Sequence, residues 1–326
     1  MIVHKENIQN IIILIMICHM MTQFRNTGGY DMMKCKSQMV RITPFLIILF
    51  FLSWACENVK SESLITIDDE FLYHVIDNEI TIDMYLGKSN TVKIPSFINE
   101  IPVVSIGEGA FYGSQVVHVT LPAYLQRIEN DAFGESAIQE VSFPASLTKI
   151  GDGAFALSRL QHVEIPDSVE SIGIAAFSSC FDLYSIKLSN SLTALPEYCF
   201  FENTHLTQMD LPEGINAIGD ECFYFCTELR SVSLPTSLKS IGEMAFAYCS
   251  LLTDIKLPEG IVAVRDSCFL DCTSLMSVFI PSTLNTTGFL DDLVNLENND
   301  IILSISNNPE FVDYAIQHNT RYMIVH

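Results

Sequence analysis

Residues 237–260 read "SLKSIGEMAFAYCSLLTDIKLPEG", and residues 214–237 read "GINAIGDECFYFCTELRSVSLPTS". The two stretches agree at most apolar positions. Aligned on phenylalanine, the pattern recurs at Phe111, Phe133, Phe155, Phe177, Phe200, Phe223, Phe246 and Phe269, spaced by 22 residues and then by 23. An aliphatic residue precedes each of these by five: Ile106, Ile128, Ile150, Ile172, Leu195, Ile218, Ile241 and Val264. A proline closes most units (Pro122, Pro144, Pro166, Pro212, Pro235, Pro258, Pro281), and Ser189 fills the one gap. A fixed period of this length marks a repeat architecture.

The unit "LQHVEIPDSVESIGIAAF" (160–177) shows what each copy builds. Val163 lies between polar His162 and Glu164, the alternation of a short strand. Pro166 ends that strand, because proline donates nothing to a sheet ladder. "SVESI" supplies a second extended piece. The segment leading into the phenylalanine reads as one helical turn. The position four before Phe is mostly Gly, but Glu129, Pro196 and Arg265 also occur there. Since Pro fits, a positive φ is not required at that position. The next column is mostly acidic, which suits the positive end of a helix dipole. No single unit can bury its own apolar stripe, whereas stacked units can. The strands then become parallel ladders and the phenylalanines a buried column.

The pattern L-x-x-V-x-[IL]-P-x-[SG]-[IVL]-x-x-I-G-x-x-A-F-x-x-C resembles the BspA-like leucine-rich repeats. The resemblance implies a leucine-rich-repeat solenoid. Its coil would be right-handed and curved, with about eight repeats, short parallel strands on the concave face and short helical turns on the convex side. Residues 70–96 resemble the β-hairpin cap before such arrays, and 306–325 their closing helix and strand. Extra residues around "FINEI" (97–101) in the first repeat are usual in the family. The expected organisation is a targeting region (1–56), an N-terminal cap (57–91), the array (92–290) and a small α/β C-terminal cap (291–326). Known members include adhesins and host-contact proteins. The resemblance therefore implies a cell-surface or secreted protein that binds a partner protein; an envelope scaffold without a host ligand is the alternative.

Two apolar runs precede the array, "IIILIMICHMM" (11–21) and "PFLIILFFLSWAC" (44–56). Neither reaches the length of a membrane span. The second has a basic lead (Lys34, Lys36, Arg41) and small residues at Ser53 and Ala55, the form of a secretory signal. Cys56 resembles a relaxed lipobox cysteine. The readings left open are lipidation at Cys56, simple secretion and a retained anchor, with translation starting at Met33 or Met39. The chain has 17 basic and 39 acidic residues, a net charge of −22. No basic stripe appears, which argues against nucleic acid. The only membrane contact expected is a lipid at Cys56.

Of the ten cysteines, the seven inside the array follow the repeat. Cys199, Cys222 and Cys268 stand where other copies have Ala. Cys180, Cys226, Cys249 and Cys272 stand where others have Ser or Asn, a column suited to hydrogen-bonding a turn carbonyl. Buried free thiols are the expectation. The two C-x3-C pairs, Cys222/Cys226 and Cys268/Cys272, lie two rungs apart, on the order of 10 Å, too far to share one zinc ion.

Two columns point outward from the strands. One holds His118, Glu140, His162, Ser185, Gln208, Ser231, Asp254 and Ser277; the other holds Thr120, Ser142, Glu164, Lys187, Asp210, Ser233, Lys256 and Phe279. All but Ser277 and Phe279 are candidate binding residues. Phe279 and Met276 are either an apolar contact patch or are covered by the C-terminal cap. The stack His118–Glu140–His162 beside Glu164 is the most chemical feature, read as solvated surface. No catalytic motif, cofactor motif or metal-ligand pattern stands out, and the expectation is a binding protein that is not an enzyme.

Overall fold

Each repeat contributes to three rows of parallel contacts along the coil, the first two divided into several separate sheets. The structure is a computed structural model that describes residues 64–67, 70–286, 288–291 and 301–325. The targeting region and Cys56 lie outside these residues.

The first ladder is built by three-residue strands. Thr91–Lys93 pairs with His118–Thr120, His162–Glu164 with Ser185–Lys187, Gln208–Asp210 with Ser231–Ser233, and Asp254–Lys256 with Ser277–Ile280. The second ladder is built by the "SI"-type pieces. Ile106, Ile128, Ile150 and Ile172 fall in register in one sheet, and Leu195, Ile218, Ile241 and Val264 in another. These aliphatic residues are buried, and their preceding strand neighbours, apart from buried Ser105, lie at or near the surface.

The third ladder differs from a helical turn. The residues two before and two after each core phenylalanine all have positive φ, as at Asp131 and Glu135, Ala175 and Ser179, and Met244 and Tyr248. Between them the chain closes tight three-residue bonds, such as Ala132 N to Glu129 O and Ser136 N to Phe133 O. Alternating hand turns every second amide toward the next repeat. Phe133 N donates to Ala154 O (2.7 Å), Asp131 N to Asp152 O (2.8 Å) and Glu135 N to Ala156 O (2.8 Å). A helix would send those amides back along its own chain. Here they zip one repeat onto the next.

The same geometry corrects the dipole reading of the acidic column. Asp152 Oδ1 accepts from Ile174 N (2.8 Å), Asn130 Oδ1 from Asp152 N (2.9 Å), and Asp220 Oδ1 from Glu243 N (2.8 Å). The side chain caps the next repeat instead of a helix end. The adjacent glycines make room for it: a Cβ on Gly173 would lie 2.3 Å from Asp152 N and 2.4 Å from its Oδ1. Gly173→Ala should therefore cost about 2–4 kcal/mol, combining overpacking with a lost hydrogen bond. Ala175→Gly, two residues on at φ 54°, should change stability by no more than about 1 kcal/mol or raise it. Urea unfolding of the two variants checks the contrast. Equal losses in both would contradict this backbone assignment.

Inside the three ladders the phenylalanine rings stack. Successive centroids from Phe111 to Phe269 lie 4.9–5.9 Å apart with interplanar angles of 4–17°. The column runs past the repeats at both ends. Tyr85 stacks on Phe111 at 5.2 Å, Phe289 meets Phe269 edge-on at 6.1 Å, and Phe311 lies tilted against Phe289 at 6.3 Å.

The N-terminal end is an antiparallel meander of Leu64–Ile67, Phe71–Ile76 and Glu79–Tyr85. Asp77 and Asn78, with φ of 51° and 62°, turn its second hairpin as a primed turn requires. The extra residues of the first repeat form another hairpin, Phe97–Ile98 against Ile101–Ile106, around Asn99 and Glu100. At the other end, Ile302–Ser306 and Arg321–Val325 extend the first ladder in parallel. The helix Pro309–Gln317 between them buries Phe311 and Ala315.

All seven described cysteines are buried and lie outside any disulfide. Those three residues after the phenylalanine hydrogen-bond the phenylalanine carbonyl of the preceding repeat: Cys180 Sγ to Phe155 O (3.1 Å), Cys226 to Phe200 O (3.2 Å), Cys249 to Phe223 O (3.2 Å) and Cys272 to Phe246 O (3.1 Å). Asn203 Nδ2 makes the same bond to Phe177 O (2.8 Å). For Phe155, Phe200, Phe223 and Phe246 this adds a second donor to a carbonyl that already accepts the amide three residues on, as Phe155 O does from Ser158 N (3.1 Å), and so fills the remaining lone pair of a buried acceptor.

Candidate functional site

The first ladder presents the candidate residues. Along it, central Val119, Val163, Ile186, Met209, Ile255 and Val278 are buried. The flanking columns face solvent: His118, Thr120, Glu140, Ser142, His162, Glu164, Lys187, Gln208, Asp210, Ser231, Ser233, Asp254 and Lys256 are exposed, and Ser185 is half-buried. Register places His118 beside Glu140, Glu140 beside His162, and His162 beside Ser185. Glu164 sits beside Lys187, and Asp210 beside Ser233. One registered pair, Glu164 and Lys187, brings opposite charges to neighbouring strands.

Strand pairing along this ladder breaks between Ser185–Lys187 and Gln208–Asp210 and between Ser231–Ser233 and Asp254–Lys256, and in one earlier repeat the strand itself is lost. Only Glu140 bridges to its neighbours there, and Val141–Phe143 leaves the strand pattern. Here Phe143 occupies a column that holds Leu or Ile in other repeats. Its ring turns edge-on to the core ring of Phe155, centroids 5.7 Å apart at 70°. The interruption opens a depression of about 520 Å³. Its walls bring together four predicted residues, Ser142, His162, Glu164 and Lys187, with Asp167 and an apolar floor of Val141, Phe143, Ile165 and Pro166. The remaining candidates lie along the ladder outside it.

The depression is polar at its rim. His162 Nε2 stands 3.7 Å from Glu164 Oε1, beyond hydrogen-bond reach. The exposed ring of Tyr184 lies over His162, centroids 6.4 Å apart. Asp167 accepts from the backbone of Asn190 (2.9 Å) and from its side chain (3.1 and 3.2 Å). Those bonds, the backbone one first, hold its carboxyl below the usual range, and Lys187 adds to the effect. Among the described residues, no group of three or more His, Cys, Asp or Glu converges on one point. Phe143, Asp167 and Tyr184 were not among the sequence candidates. The sequence signal for Phe143 was a ring in an otherwise aliphatic column. At the far end of the ladder Phe279 is half-buried against the following strand, with Lys256 Nζ 5.8 Å from its ring, while Met276 stays exposed.

A family model described as "BspA type Leucine rich repeat region" matches residues 81–201 and 196–307, in six copies. Solved structures with a similar fold include a leucine-rich repeat protein from Bacteroides ovatus, 19% identical, covering 80% of this chain and 100% of that one, with a TM-score of 0.34. The pneumococcal vaccine antigen PcpA is 17% identical, covering 82% and 100%, with a TM-score of 0.36. A leucine rich cell surface protein from Faecalibacterium prausnitzii is 20% identical, covering 69% and 91%, with a TM-score of 0.40. No curated protein gives a significant match. Among the described residues, no helix is long and apolar enough to cross a membrane.

Proposed function

The chain belongs to the BspA-type leucine-rich repeat family, and from that premise we propose that it is an exported bacterial protein that holds a partner protein on its strand face. The observation that supports this best is the ladder of solvated, mixed-charge side chains, none of which the core uses. Residues that neither pack nor cap are free to specify a partner. The apolar-floored depression at Phe143 adds a place for one anchoring side chain, and buried anchors carry most interface energy. The absence of a hydrogen-bonded base and nucleophile in that depression favours binding over catalysis. The signal-like 44–56 segment supports export, with Cys56 as the lipid attachment point or with release into the medium.

Size limits how the partner binds. A three-residue strand spans about 10 Å and each rung about 4.8 Å, so ten or so rungs give roughly 500 Å². A standard interface takes about 800 Å² per partner. The partner must therefore reach the flanking loops as well, where Tyr184 is 53% exposed.

The test is binding of the purified protein to host cells and to neighbouring bacteria, against a variant carrying His162→Ala, Glu164→Lys and Lys187→Glu. All three positions are exposed, so the variant should fold normally. Binding should fall at least about tenfold. If the variant binds equally well and also repairs the envelope of cells lacking the protein, the scaffold reading replaces this one.

A further inference from the structure

We infer that the turn ladder of three successive repeats, at residues 197–249, is a docking patch for an arginine-bearing segment of a partner protein. Its sequences are "EYCFFEN" (197–203), "DECFYFC" (220–226) and "EMAFAYC" (243–249). Five aromatic residues accompany the core phenylalanines there: Tyr198, Phe201, Tyr224, Phe225 and Tyr248. In earlier repeats the residue after the core ring is Tyr112, Gly134, Ala156 or Ser178. None of the five is buried, and Phe225 is 40% exposed.

The rings form one continuous surface. Tyr198 meets Phe201 at 5.8 Å, Phe201 stacks on Tyr224 at 5.0 Å, and Tyr224 and Phe225 both contact Tyr248, at 5.2 and 5.7 Å. Their backbone gives no reason for rings at three of these places. Tyr198, Phe225 and Tyr248 have φ of 58°, 60° and 62°, in columns where the other repeats use Gly109, Gly113 and Gly153 or non-aromatic residues such as Ala175, Ser179 and Ser267. Left-handed backbone favours glycine, and a bulky residue there is an outlier. Rings kept against that preference, and left at the surface, serve something other than the core.

The surroundings identify what they serve. The three stretches contain Glu197, Glu202, Asp220, Glu221 and Glu243, with no Lys or Arg. Arg265 approaches only Asp220, at 3.7 Å. Burial first, then the neighbouring Tyr248, and after it the carboxylates of Glu221 and Glu202, push the Tyr224 phenol up. Aromatic faces within a negative field attract cations. Arginine fits better than lysine, because its planar group stacks on rings while pairing with carboxylates.

The experiment uses a fluorescein-labelled peptide of alternating arginine and serine at physiological ionic strength, with its lysine counterpart and a neutral malto-oligosaccharide for comparison. The key variant is Phe225→Gly with Tyr248→Gly, which removes two rings and gives the backbone its preferred residue. The unfolding midpoint should be little changed, while affinity for the arginine peptide falls about tenfold. Glu202→Gln with Glu221→Gln should weaken it as well, and the lysine peptide should bind less tightly than the arginine one. Four results overturn the proposal: no peptide binding, undiminished binding by the glycine variant, a marked loss of stability in that variant, or a patch that takes the neutral sugar in preference to the peptide.

Discussion

Phe177→Ala is expected to lower the stability of the coil by about 3–5 kcal/mol, the range for emptying a buried phenylalanine site. Phe177 is fully buried, with Phe155 5.4 Å on one side and Phe200 5.9 Å on the other. Removing it takes away burial worth roughly 1.5–3 kcal/mol and two stacked contacts, and leaves a cavity between ladders whose hydrogen bonds resist collapse. Each repeat contacts only its neighbours, so the loss in mid-coil also weakens the coupling of the two halves. Urea unfolding followed by circular dichroism should show an earlier midpoint and a broader transition. An unchanged midpoint would remove the ring column from the account of stability.

The second large effect is alkaline. Burial pushes the Cys180 and Cys226 thiols up to about 12, and it raises Cys199, Cys222 and Cys249 as well. An unfolded thiol titrates near 8.5. Below that pH both states keep their protons and the groups contribute nothing to pH dependence. Above it only the unfolded chain releases protons, so stability falls until the folded thiols titrate too. Each thiol contributes a slope of about 1.4 kcal/mol per pH unit, and Cys180 and Cys226 together cost on the order of 5 kcal/mol between pH 9 and 11. Serine fits their column: Ser136 Oγ donates to Phe133 O at 2.7 Å. Cys180→Ser with Cys226→Ser should flatten the alkaline limb of the urea midpoint. A wild-type midpoint that holds to pH 11, or a variant as alkali-sensitive as wild type, contradicts the buried-thiol picture.

The repeat period made the core legible, since eight phenylalanines and eight aliphatic residues in register dictate which side chains meet. The outward columns followed from period-two alternation around Val163 and its equivalents. The ends of the ring column did not follow. Phe289 comes 20 residues after Phe269, off the period, and Tyr85 replaces the phenylalanine.

The turn ladder was misread because its left-handed positions hold Asp, Glu, Leu, Tyr and Met, with glycine at only three. The conspicuous glycines lie elsewhere and answer to crowding from the repeat before. A comparison across successive repeats carries that signal. Asn130, Asp152, Asp220 and Asp266 are followed one repeat later by Gly151, Gly173, Gly242 and Gly288, whereas Glu108, Ile174 and Glu243 are followed by Glu129, Pro196 and Arg265. Glu197 before Gly219 is the exception. The depression at Phe143 was hidden for a related reason: an outward column names the residues on a face, but an irregular core ring decides where that face gives way.

Protease treatment of intact cells that produce the protein tests most directly whether the strand face meets partners outside the cell. The array is followed by antibody, and a cytoplasmic marker reports lysis. The account predicts that the array is digested while the marker survives. An array that resists until the cells are broken would place the coil inside the envelope and leave the surface-binding reading without support.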